Sequence, residues 1–293
     1  MKYKTTIITI NYFLKEVSKR HSLTNRELAD ILEVSPGLIN SYLNNKVVVP
    51  TKRAIKLNEW LKDNKNEDIY KDYIFKYTSE DGFLFHGSKT RIISEIDLNR
   101  SLDEHDFGRG FYLGETFLQS SCWASFNECM GYLYKVKFNK QGLKHHDIEG
   151  MDWVFFVAYN RGLIPEGEDT KKLLHRMSKL ISSGDNYFFG KIADDRMNES
   201  MTMFFNDLMS DIQVEQCLKQ LKIGNQYCLR DKEATNKLEI IEEYKLEDNL
   251  KKLIAYYGSS SRLMAVKASK NISQKENKTG KKFSELLKEY GNK

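Results

Sequence analysis

The sequence predicts an α+β chain, with a small all-helical head at the N-terminus and a body that mixes helices and strands. Three observations carry this. Between residues 11 and 65, capping residues and apolar positions recur at helical spacing. Residues 131–138 (GYLYKVKF) and 238–244 alternate as strands do. Only three prolines occur, at Pro36, Pro50 and Pro165, so Gly, Asn and Asp punctuate the middle of the chain.

The head begins with a capping box, Thr24-Asn25-Arg26-Glu27, in which the Thr hydroxyl serves the N3 amide and Glu27 reaches back. Leu28, Ala29, Ile31 and Leu32 supply the apolar stripe of that helix, and Glu33-Val34 makes a turn. Ser35-Pro36 opens the next helix with an N-cap and a proline at N1. Its inward residues are Leu38, Ile39, Tyr42 and Leu43, which leaves Asn40, Ser41, Asn44, Asn45 and Lys46 outward or at its end. Thr51 is expected to cap a third helix, with Ile55, Leu57, Trp60 and Leu61 closing a small bundle. The stretch ELADILEVSPGLINSYLNNK resembles the lambda-repressor or Xre-like helix-turn-helix family over residues 11–65. That resemblance implies DNA binding, normally as a dimer, with Asn40, Ser41, Asn44 and Lys46 reaching bases and phosphates. The alternative is a bundle that has kept the fold and docks a partner.

In the body, residues 83–88 (FLFHGS) form a short apolar run ending in a polar turn, the pattern of a buried strand that carries His86 to its end. Asp106-Phe107-Gly108-Arg109-Gly110-Phe111-Tyr112 follows, its two glycines allowing close backbone approach before another strand. Thr116 then caps a helix with Ser120, Trp123 and Ala124 on one face. A third element is Asn225-Gln226-Tyr227-Cys228-Leu229-Arg230-Asp231.

Taken in order, these elements resemble the poly(ADP-ribose) polymerase branch of the ADP-ribosyltransferases. Together with GKIADDRMN at 190–198, they are more closely similar to an uncharacterised bacterial family of ADP-ribosyltransferase-like domains, over residues 83–247. The resemblance implies a split, mostly antiparallel sheet and NAD as substrate. It implies a triad of His86, Tyr112 and Gln226, with Gln226 where the family usually has a catalytic glutamate. By the same resemblance, His86 would bond the adenine-side ribose. The Gly87 backbone and the Ser120 hydroxyl would hold the nicotinamide carboxamide, and Tyr112 and Trp123 would sandwich its ring. Ser88 and Arg109 join the NAD-binding set. Gln226 brings no negative charge, which argues against chain elongation; it allows mono-transfer in which the acceptor or a neighbouring acid, Glu215, Asp231 or Glu233, supplies the base, and it also allows a weak or inactive enzyme. Asp194-Asp195 is either a further acidic element or an ordinary helix cap.

The expected activity is therefore mono-ADP-ribosylation of a macromolecule, a protein rather than nucleic acid, with release of nicotinamide. A toxin-like or phage-defence effector held by an antitoxin partner is the implied setting. The alternatives are an NAD glycohydrolase, and a DNA-binding regulator whose body senses NAD or ADP-ribose without turnover.

Charge and composition frame these readings. Of 293 residues, 40% are hydrophobic and 30% charged, which excludes disordered and fibrous classes. Residues 1–65 hold 12 Lys/Arg against 6 Asp/Glu, and residues 251–293 hold 11 against 3, so a basic head and tail flank an acidic middle. No run of 18 apolar residues occurs, and the opening MKYKTTIITINYF is too short and polar for a secretory signal, so a cytoplasmic chain without membrane contact is expected. The four cysteines, Cys122, Cys129, Cys217 and Cys228, form no CxxC pair, and His145-His146-Asp147 lacks a third ligand, so no metal is expected. That His-His-Asp segment reads as a turn before an apolar core helix around Trp153–Tyr159. No P-loop, GxSxG or dinucleotide-binding GxGxxG is present. The expected domains are a head at 1–65, a linker at 66–82, the body at 83–250 and a basic tail at 251–293. Within that tail, 268–280 reads as a polar linker before a short amphipathic segment at 283–290.

Overall fold

The computed structural model describes residues 5–74, 82–93, 95–125, 131–193, 198–219, 224–273 and 280–291. The chain is mixed α/β, with eight strands among the described residues in parallel and antiparallel pairs. It divides into two compact units, each with its own apolar core.

Unit 1 comprises residues 1–94, 114–138 and 239–259. Its helices are α1 (Ile10–Arg20), α2 (Asn25–Leu32), α3 (Pro36–Leu43) and α4 (Thr51–Lys65). The capping box forms as the sequence predicts: the Thr24 hydroxyl accepts from the Glu27 amide, and the Glu27 carboxylate accepts from the Thr24 amide. Glu33 closes α2 in the left-handed region at φ +52°, and Ser35 caps α3 with Pro36 in its first turn. Buried Asn11 ties the end of α3 to the loop beyond it, donating to the carbonyls of Tyr42 and Val47 and accepting from the Val49 amide. Thr51 does not cap α4. Pro50 occupies that position, and the Thr51 hydroxyl donates instead to the carbonyl of Asn249.

The strands of unit 1 run in the order β1 (Thr5–Ile8), β8 (Leu238–Leu246), β4 (Tyr132–Phe138), β2 (Leu84–Ser88). β1 pairs parallel to β8, and β2 antiparallel to β4 with His86 opposite Tyr134 and Gly87 opposite Leu133. Helix α5 (Phe117–Ser125) starts where Thr116 accepts from the Gln119 amide, as expected. The head has no core of its own. Leu28, Ile39 and Leu57 share one cluster with Phe85, Phe117, Leu133 and Leu250. Of the expected linker at 66–82, Ile69, Tyr73 and Ile74 are part of this core, buried in a wide helical turn (Ile69–Ile74) that follows α4, and residues 75–81 lie outside the described residues. Polar composition hid those three apolar residues.

Unit 2 comprises residues 95–113, 139–238 and 260–293, and its strands run β3 (Phe111–Gly114), β7 (Asn225–Leu229), β6 (Tyr187–Lys191), β5 (His145–Ile148). β6 and β7 are antiparallel and β5 and β6 parallel, so parallel pairs stand beside the antiparallel ones the sequence analysis expects. β5 replaces the turn expected at His145–Asp147: it is a polar edge strand, with the His145 ring stacked on Tyr187 at 5.0 Å. Helix α6 (Gly150–Asn160) is the expected apolar core helix. Around it pack α7 (Lys171–Ile181), α8 (Asn198–Phe205) and α9 (Asp211–Lys219), and the short α10 (Lys232–Asn236) follows β7.

The tail is more helical than its composition suggests. Helix α11 (Asp248–Ser273) runs well into the segment read as a linker. Helix α12 (Phe283–Gly291) docks on unit 2, where Phe283 meets Phe155, Phe204 and Phe205 at 6.2, 5.6 and 4.9 Å. Among the described residues, no helix is long and apolar enough to cross a membrane.

Candidate functional site

The His-Gly-Ser segment lies in β2, and the alternation of the strand sorts its side chains. Phe85 and Gly87 face α5: the Phe85 ring meets Phe117 edge-on at 6.2 Å. A methyl group built on Gly87 would fall 1.9 Å from the Ser120 carbonyl oxygen, so only glycine permits this approach of strand to helix. His86 projects from the other face of the strand, its ring 6.3 Å from that of Tyr134. Ser120 is buried, and its hydroxyl donates to the Phe85 carbonyl at 2.9 Å. A serine hydroxyl has one proton to give and two lone pairs, so this bond presets Ser120 as an acceptor for anything beside it. Trp123, one helical turn further along α5, is half exposed. The edge of β2 away from β4 pairs at one position among the described residues, Phe85 with Gly114. Gly87 and Ser120 thus sit together just past the point where that pairing stops.

Unit 2 holds the remaining candidates. Gly108 adopts φ +75°, and a methyl on Gly110 would meet Cys228 Sγ at 2.4 Å, so both glycines are needed to lay this loop against β7. The Tyr112 hydroxyl donates to the Gly108 carbonyl at 2.6 Å and accepts from the Phe107 amide at 3.1 Å. Burial, then the neighbouring Cys228 and Asp106, push the Tyr112 hydroxyl well above its ordinary value, so it stays neutral. Burial likewise pushes the Cys228 thiol up to about 12. Arg109 lies at the surface, gripped by Asp103 through Nε at 3.0 Å and Nη2 at 2.9 Å. Of the NAD-binding candidates, it is the one whose charge is already met by a carboxylate.

Gln226 is buried in β7 opposite Gly190. Its Nε2 donates to Asp106 Oδ2 at 2.7 Å and to the Lys191 carbonyl at 3.4 Å. Both partners are acceptors, which fixes the amide with its nitrogen inward and leaves Oε1 as the acceptor face. Asp106 is held further by Arg161 Nη2 at 2.5 Å and by the Ala193 amide at 2.8 Å. The guanidinium also donates to Asn198 Oδ1 and the Ala193 carbonyl. This paired carboxylate, the group that orients Gln226, went unassigned in the sequence. Asp106 stands inside the DFGRGFY motif and so carried a signal, whereas Arg161 carried none.

The acids proposed as substitutes for a glutamate have other employment. Asp231 caps α10, accepting from the Ala234 amide, and both Asp231 and Glu233 accept from Asn186. Glu215 lies on α9, at the surface of the unit 2 core. Asp194 and Asp195 lie outside the described residues. On α3 and just past its end, Asn40, Asn44 and Lys46 are exposed and Ser41 is partly covered. Asn44 Nδ2 donates to the carbonyl and side chain of Asn40, and the Ser41 hydroxyl donates to the Gly37 carbonyl. Two of these four polar side chains are therefore turned back onto their own helix.

The family model described as a protein of unknown function (DUF3990) matches residues 83–240, more than half of the chain. The match covers β2, the glycine loop and β7. No curated protein and no solved structure matches the chain.

Proposed function

The chain belongs to the DUF3990 family, and we propose that it is an NAD-dependent mono-ADP-ribosyltransferase that modifies a macromolecule and releases nicotinamide. The observation that carries this reading is the seating of Gly87 against Ser120. Those two residues were assigned to one group of NAD, its carboxamide, and the fold makes them neighbours on an edge of β2 whose pairing ends beside them. Ser120, with its proton committed to Phe85, accepts from the carboxamide NH2, and the Gly87 backbone supplies the complementary contact. Trp123 offers an exposed ring for stacking, and His86 offers a donor to a ribose hydroxyl.

In the reaction, the bond between C1′ and the nicotinamide nitrogen breaks. Its electron pair leaves with the nitrogen, which turns the pyridinium into neutral nicotinamide, and positive charge develops at C1′. The acceptor's nucleophile then bonds C1′ and gives up its proton. Gln226 serves through Oε1, which accepts from the ribose 2′-hydroxyl while Asp106 and Lys191 hold the amide in that sense. The amide contributes a dipole in place of a full charge, so slow single transfers fit this residue and rapid chain growth does not. Tyr112 acts as a neutral aromatic wall, its hydroxyl engaged by the glycine loop.

The test is incubation of the purified chain with NAD labelled on the adenylate, alongside cell lysate and separately its nucleic acid. The proposal expects nicotinamide release together with label on a protein fraction. Free ADP-ribose without labelled macromolecule would make the chain a glycohydrolase. No nicotinamide from any mixture, with tight duplex binding through α3, would overturn the proposal in favour of a DNA-binding regulator.

A further inference from the structure

We infer that unit 2 carries a further ligand site, a cleft of about 950 Å³ that adjoins the glycine loop at Gly108 and Arg109 and takes a small ligand with one oxyanion on an apolar or aromatic body. The volume lies within the roughly 300–1,000 Å³ of small-molecule sites. Phe107, Tyr159, Leu163, Ile164 and Leu174 give apolar wall, and Arg230 supplies a cation. Arg230 follows β7, its backbone amide fixed on the Asn186 carbonyl. Its guanidinium carbon stands 4.4 Å over the Phe188 ring, and its Nε is buried without a hydrogen-bond partner. Among the described residues, its side chain makes no ion pair.

A charged side chain kept in a cleft wall without an ion pair is one that an oxyanion in the cleft would stabilise. The nearby acids do not supply the partner. Asp231, next in sequence, is turned to the Ala234 amide and to Asn186; Asp103 is engaged by Arg109; Glu166 is exposed on the rim. The guanidinium is held against the Phe188 ring, and an arginine so placed suits a carboxylate or a phosphate face. This site does not depend on the NAD reading, and it is tested without NAD.

The experiment is calorimetric titration of the full chain with phenyl phosphate and with phenylacetate, using benzyl alcohol as the uncharged counterpart. At least one anion is expected to bind saturably at one per chain, and the tighter of the two identifies phosphate or carboxylate as the natural group. Arg230→Gln is expected to weaken that binding by about tenfold or more, and Arg230→Lys by less, with benzyl alcohol unchanged. If Arg230→Gln does not fold, Leu163→Trp serves instead, because it fills the cleft with Arg230 in place and is expected to abolish anion binding. Absence of saturable binding by either anion, or equal affinity in the substituted chain, would overturn the assignment.

Discussion

Replacing Gln226 by glutamate restores the residue that the ADP-ribosyltransferase pattern usually has, yet the surroundings of Gln226 predict a loss of stability. The amide nitrogen lies 2.7 Å from Asp106 Oδ2. A carboxylate in its place sets two like charges about 3 Å apart, which at an effective dielectric of about 20 repel by about 5 kcal/mol. Arg161, paired with Asp106 at 2.5 Å, offsets part of that repulsion, and the remainder raises the new carboxyl by about 3 pH units from its ordinary ~4.3, so near neutrality it takes a proton in the folded chain. Protonated, it donates to Asp106 much as the amide does.

The folded state then binds a proton that the unfolded state has lost, and the variant's stability relative to the parent falls as pH rises. The gap grows by about 1.4 kcal/mol per pH unit above the unfolded value and reaches about 3–4 kcal/mol near pH 7. For a unit of this size, that is a drop of roughly 10 °C in the unfolding midpoint. Thermal unfolding of Gln226→Glu and the parent between about pH 4.5 and about pH 7.5 reads the effect directly. A gap that is absent, or that does not change with pH, would refute the reasoning. It would also show that the Asp106–Gln226 bond is not what fixes this residue.

Two other predictions rest on the same kind of geometry. Gly87→Ala places a methyl 1.9 Å from the Ser120 carbonyl, so the strand must shift, at about 2 kcal/mol or more. Gly37→Ala on α3 meets nothing within 4 Å and is expected to gain about 0.5–1 kcal/mol. Denaturant unfolding separates the two, and equal effects would refute the close approach. Glu243 is fully buried, and although burial alone would raise its carboxyl, bonds from Arg91, Thr5 and Tyr134 hold it below the ordinary value. Its contribution is present above the unfolded value of ~4.3 and is lost as pH falls through the folded one. Glu243→Gln is therefore expected to be less stable than the parent by about 1–3 kcal/mol near neutrality, with the gap closing in acid. A gap that widens in acid would contradict this.

How legible the molecule was depended on the range of each interaction. The caps at Thr24 and Ser35 were readable because donor and acceptor lie three residues apart, and α5 and α6 followed from equally local signals. Thr51 misled because a hydroxyl suited to capping finds its partner 198 residues away. The edge strand β5 escaped notice because a polar, exposed His-His-Asp lacks alternation. The pairing of β1 with β8 joins residues more than 200 positions apart, as Thr5 with Glu243, which no local pattern encodes. Among the candidate residues, the glycines at 87 and 110 each sit where their own close contacts demand them, and motif spacing found both. The tie between Asp106 and Gln226 spans 120 residues, and Arg161 joins it from α6's far end, so the network that decides what Gln226 does was invisible until the fold brought it together.

The most direct test of the account is the rate of nicotinamide release from NAD by the purified chain, compared with its His86→Ala and Tyr112→Ala variants at matched folded fraction. The account predicts measurable release by the parent and its loss in both variants. Release that persists unchanged in Tyr112→Ala would contradict the assignment of this site.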